Sequence, residues 1–139
     1  MKSIVAILVV LLMSSVAFAQ GGNFTGKYET KQCKKDGDTC GEITYLETMV
    51  KKKDGTTMPG AGFTIHSESI VNAKRGDVRV REIGDESEPK FAEKVDATRF
   101  LYTDEDGCTV VFDFSKMGTV TVKSKECDGY FDNTYRKTK

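Results

Sequence analysis

Apolar residues along this chain recur at every second position, in short runs broken by turn-forming residues, and no segment carries a long helical period. The clearest case is CTVVFDFSKMGTVTVKSKEC, residues 108–127, where Val110, Phe112 and Phe114 alternate with polar neighbours and Val120 and Val122 repeat the pattern. A three-residue loop at Ser115, Lys116 and Met117 sets Phe112 opposite Val120 and Val110 opposite Val122. Those four side chains then share one core, with Thr109, Asp113, Thr119, Thr121 and Lys123 outside. Further strands are predicted at residues 26–31 (GKYETK), 62–67 (GFTIHS), 77–83 (DVRVREI) and 98–103 (TRFLYT). In the second of these Phe63 and Ile65 point inward; in the third Val78 and Val80 alternate against Arg79 and Arg81. Residues 43–51 (ITYLETMVK) also fit a helix, with Ile43, Leu46 and Val50 on one face and Thr39 with Glu42 as a capping box, but their β-rich composition favours a strand. Residues 90–97 are mixed and left without assignment, a single helical turn being the alternative. The rhythm of short strands and frequent turns points to an all-β fold, a small single-domain antiparallel barrel or sandwich.

The N-terminus adds an address. Lys2, the charge-free run of residues 4–13 and the small-x-small triplet Ala17-Phe18-Ala19 read as a signal peptide over residues 1–19. The apolar run is too short for a membrane anchor, and Gln20 stands where a lipoprotein would need cysteine. Removing nineteen residues from 139 leaves 120, one exported domain at 20–139, periplasmic or secreted. Without Lys2 the charge is 20 basic against 21 acidic residues, too balanced to favour nucleic acid, and no membrane span is expected in the mature chain.

All four cysteines, Cys33, Cys40, Cys108 and Cys127, fall in that domain, and an oxidising compartment implies two disulfides with three connectivities open. The preferred pairing is local. Cys33–Cys40 closes a tight loop and Cys108–Cys127 the base of the hairpin, after which Tyr130, Phe131 and Tyr135 supply a final strand. Their spacing lacks the close pairs of a zinc site, and no metal is expected.

The C-terminal third, Tyr102 with Cys108-TVVFDF, then TVTV, Cys127-x-Gly129 and DNTYRK, resembles the ending of small exported bacterial β-barrel proteins that finish in a Cys-hairpin-Cys and a Thr-Tyr-Lys/Arg strand. Size, compartment and architecture are also similar to those of periplasmic lysozyme inhibitors, which plug a lysozyme cleft with loops. That resemblance implies a protein partner such as a lysozyme and contact through the glycine-rich stretch Pro59-Gly60-Ala61-Gly62-Phe63. No serine stands in this stretch, unlike the inhibitors' loop.

No catalytic machinery is legible. His66 is the only histidine and sits on a strand, and cystine sulfurs are not nucleophiles. The acidic groups Asp36/Asp38, Asp85/Glu86/Glu88 and Asp104/Glu105/Asp106 read as turn residues, and Lys34-Lys35 and Lys51-Lys52-Lys53 as solvated loop charges. Arg79 and Arg81 share a strand face, suited to guarding a sheet edge or to meeting a carboxylate-rich partner. Asn23-Phe24-Thr25 is a formal glycosylation sequon. The leading expectation is an exported, non-catalytic binding protein without cofactor, an inhibitor of a lysozyme or other cell-wall hydrolase. Its contacts are expected on a loop of residues 54–63, at Met58, Pro59, Gly60, Gly62 and Phe63. The alternative is a small lipocalin-like carrier of an apolar molecule, which would need a hollow interior of about 300 Å³ or more.

Overall fold

The structure, a computed structural model, describes residues 23–30, 33–127 and 129–139; the expected signal peptide at 1–19 lies outside them. Nine strands follow one another: β1 (Gly26–Glu29), β2 (Thr39–Lys51), β3 (Thr57–Ile70), β4 (Val78–Ile83), β5 (Lys90–Lys94), β6 (Arg99–Thr103), β7 (Thr109–Asp113), β8 (Thr119–Lys125) and β9 (Asn133–Lys137). Eight of them form a closed antiparallel barrel in the order β2-β1-β9-β8-β7-β6-β5-β3, sealed by the pairing of β2 with β3. β4 is the ninth of these strands and, among the described residues, pairs with β3 alone.

Alternation decides what lies inside. Tyr28, Ile43, Tyr45, Phe63, Ile65, Phe100, Val110, Phe112, Val120, Val122 and Tyr135 are almost fully buried in one cluster. Rings occupy the barrel axis. Phe63 lies 4.7 Å from Phe112 and Tyr45 4.8 Å from Phe114 between centroids, and Phe24 stacks on Phe114 at 4.5 Å. Large rings fill the space between strands at low entropic cost, so a chain without Trp still builds a solid interior. Two tyrosines satisfy their buried hydroxyls locally, Tyr28 donating to the Phe24 carbonyl at 2.7 Å and Tyr135 to that of Phe131 at 2.8 Å. Tyr45 does not: its hydroxyl is buried with no partner among the described residues.

Both disulfides join the residues expected, with Cα separations of 5.4 Å for Cys33–Cys40 and 5.2 Å for Cys108–Cys127. The C-terminus is held as the aromatic spacing suggested. β9 pairs with β8 and β1, and beyond the ladder the Lys27 N–H donates to the Lys139 carbonyl while the Lys27 carbonyl accepts from the Thr138 N–H. Tyr130 and Phe131 belong to the turn before β9 and not to the strand.

Three expectations change. The β7–β8 register is displaced by two residues, pairing Phe112 with Val122 instead of Val120. Asp113 takes the Ser115 N–H and the Phe114 N–H bonds the Thr98 carbonyl, so the loop starts at Phe114, whose ring folds into the core. An even displacement preserves which side chains face inward. The strand read at residues 43–51 is present and longer than expected, residues 39–42 extending it, so the helical alternative with its Thr39–Glu42 capping box does not form. Lys90–Lys94 is a strand, despite burying only Ala92. Finally, the expected loop of residues 54–63 is mostly strand, since β3 begins at Thr57 and only a tight turn at residues 52–56 joins it to β2.

Candidate functional site

The residues expected to form a partner-binding loop are largely inside the sheet. Gly60, Gly62 and Phe63 are buried, Met58 is half-buried and Pro59 is exposed at the start of β3. Gly60 serves packing. A Cβ there would run into the Ala92 carbonyl oxygen and Val50, whereas one at Gly62 would meet the Phe91 ring at an ordinary contact distance of 3.4 Å. The remaining turn is self-satisfied, Asp54 accepting from the Thr56 hydroxyl at 2.5 Å and the Thr56 N–H at 2.9 Å. Those bonds, the hydroxyl's first, lower its pKa.

The acidic groups behave alike. Asp38 accepts from the Lys34 and Lys35 amides, Asp85 from Ser87 and Glu88, and Asp104 from Asp106 and Cys108. Each carboxylate closes its own turn, the role short acidic side chains play at chain reversals.

The barrel's exception lies at the other end of β3. Residues 60–63 pair with β5, while residues 65–70 continue past the end of β5 and pair with β4. Between β4 and β5 the chain buckles at Gly84, whose φ of 69° suits glycine, and Asp85 ties the excursion. β5 gains β6 as a second neighbour; β4 gains none among the described residues. The result is a two-stranded wing. Val78 and Val80 lie on its outer face at 48% and 49% exposure, so the apolar face read from the alternation meets solvent and not a core.

The opposite face of β4 carries Arg79 and Arg81, opposite Ser69 and Ser67. The turn before β9 braces it from below. The Tyr130 hydroxyl donates to the Arg79 carbonyl at 2.8 Å, the Arg81 guanidinium lies 5.7 Å over the Tyr130 ring, and buried Ser67 donates to the Tyr130 carbonyl at 3.4 Å. Cys127 anchors this turn through its bridge to Cys108, which gives the C-terminal cysteine and aromatics a joint purpose.

A second cluster occupies the outer face. The register aligns Glu42, His66 and Glu82 across β2, β3 and β4. His66 Nδ1 stands 2.7 Å from Glu82 and Nε2 2.8 Å from Glu68. With a carboxylate at each nitrogen, the ring donates at both only as the imidazolium, and the bonds to Glu68 and then Glu82 raise its pKa. A depression of about 270 Å³ opens beside it, lined by Glu42, Thr44, Thr64, Glu82 and Glu86 among others. His66 was legible as a strand histidine; its partners Glu68 and Glu82 were not. No group of three or more metal-ligating side chains occurs among the described residues. The arrangement fastens the wing electrostatically.

The described chain is thus a small, disulfide-closed antiparallel barrel with a packed interior and one projecting two-stranded wing. No protein-family model matches the chain, and neither a curated protein nor a solved structure matches it.

Proposed function

We propose that the protein is an exported, non-catalytic binding protein that engages another protein, with a lysozyme or other cell-wall hydrolase as the partner class. The observation that carries this reading is the packed interior. Rings fill the barrel axis, so any binding chemistry belongs on the outside, and a carrier of an apolar molecule would lack the volume it needs. Two disulfides suit an oxidising compartment, and none of the described residues form a helix long and apolar enough to cross a membrane. The wing is the surface best suited to meeting a partner, because it projects from a rigid body, is braced by Tyr130, and exposes apolar and cationic side chains together. The test is a panel of animal and bacterial lysozymes assayed for inhibition and for direct binding. The reading expects at least one to be bound or inhibited, with Arg79→Glu/Arg81→Glu weakening the complex at an unchanged thermal midpoint. Absence of binding across the panel would remove this partner class, and tight uptake of an apolar fluorescent probe would favour the carrier instead.

A further inference from the structure

Among the described strands, the outer edge of β4 is where the hydrogen-bonding ladder stops short. In β3 the backbone groups of Ile70 face β2, bonding Gly37 and Asp38, and Val71 donates to Asp77 on the other side. Polar groups alternate along an antiparallel strand. The backbone N–H and C=O of Arg79 and Arg81 therefore serve the β3 ladder, and those of Val78, Val80 and Glu82 point away from it. Nothing among the described residues pairs with them.

We propose that this edge receives an extended segment of the partner as an added strand, with carboxylate side chains at alternate positions facing Arg79 and Arg81. The inference rests on the reading of the protein as a protein-binding module and specifies where and how it binds. Two features point to that occupant. The four ion pairs among the described residues involve neither Arg79 nor Arg81, and the Arg81 guanidinium meets the Tyr130 ring, so neither charge faces a carboxylate there. Val78 and Val80 on the opposite face favour small apolar residues between the acidic ones.

A second copy of this chain fits less well. Antiparallel self-pairing centred on Val80 sets Arg79 opposite Arg81 twice, pairing centred on Arg79 or Arg81 sets that arginine against itself, and pairing centred on Val78 matches Arg79 with Asp77 but sets Arg81 against Arg75. Like charges directly opposite are unfavourable.

The probe is the capped peptide TEVEVET, with TKVKVKT as its charge-reversed control, titrated into the disulfide-bonded protein and followed by backbone amide shifts. The acidic peptide should bind more tightly than the basic one and shift Val78, Val80 and Glu82 most. Val80→Pro removes an outward N–H and spares the β3 ladder, so it should weaken binding at least tenfold while the fold's spectrum persists. Arg79→Glu/Arg81→Glu should transfer preference to the basic peptide and guards against misreading a misfolded proline variant. Equal binding of both peptides, shifts remote from β4, or a dimer that Val80→Pro dissolves would each overturn the proposal. Loss of peptide binding with lysozyme binding retained removes the edge and keeps the partner class; the converse result keeps the edge and removes that class.

Discussion

The two halves of β3 share one strand, one edge and one partner in β2, yet they live in different environments. Residues 60–63 lie between β2 and β5 and bury Ala61 and Phe63 in the barrel; residues 65–70 lie between β2 and β4, and beyond Ser67 neither face is buried. The difference comes from the single excursion at residues 84–89, which brings β5 to β6 and leaves β4 with an open edge. Stability resides where strands have two neighbours and rings between them. The wing is held by a backbone ladder, one histidine clasp and one tyrosine brace, and its surface is left for contact.

Substitutions should separate the two regions, beginning with the core. Phe112→Ala, in the ring cluster, should cost about 3–5 kcal/mol in a urea melt. A loss below about 1 kcal/mol would mean the interior is not packed as described. Next comes the brace. Cys127→Ser opens a loop with a sequence separation of 19, and the chain-entropy cost of that freedom is about 3 kcal/mol. The variant should also blur the Tyr130–Arg79 contact, seen as loss of the β4 amide dispersion. Tyr45→Phe removes an unpartnered buried hydroxyl and should be neutral or stabilising by up to about 1 kcal/mol. A clear destabilisation would show that the hydroxyl has a partner.

The His66 clasp should give a smaller, pH-dependent effect. Its folded pKa is raised above the ordinary 6.5, so the folded state holds a proton that the unfolded state gives up sooner. The contribution is whole below about pH 6.5 and fades as pH rises through the folded value. With the ring 40% exposed, solvent screening keeps the effect small. Thermal midpoints of wild type and His66→Gln should therefore differ most near pH 5 and converge in alkaline buffer, and divergence at high pH would reverse the assignment. Smallest of all is Val80→Ala, expected within about 0.5 kcal/mol because the side chain covers no core.

This contrast also explains what could be read from the chain. Period-two alternation exposed the barrel strands because a buried face leaves its mark residue by residue: Phe63 and Ile65, or Val110 and Phe112. It failed where the fold removes the core from one side. In Lys90–Lys94 the inward signal is Ala92 alone, too weak to assign a strand. In Val78–Ile83 the same alternation marks a face that meets solvent, because the position of β4 beyond the barrel is set by the buckle at Gly84 and not by its own side chains. The β7–β8 register slipped because Phe114, read as a strand residue, turns into the core from the loop. The glycine-rich segment 60–63 read as flexible, whereas close approach of β5 is what its small residues permit. Of the candidate surface, the Arg79/Arg81 pair was legible as a row on a strand, while the Tyr130 brace and the Glu82 partner of His66 depend on contacts across 51 and 16 residues of sequence.

The open edge is tested most directly by residue-resolved amide hydrogen exchange on the free protein. The amides of Phe112 and Val122 should exchange only on global unfolding, and along β4 protection should alternate, Arg79 and Arg81 slowed by β3 and Val78, Val80 and Glu82 near the rate of an unstructured peptide. Strong protection at Val78, Val80 and Glu82 would contradict the account, because it would mean that something already covers the edge assigned to the partner.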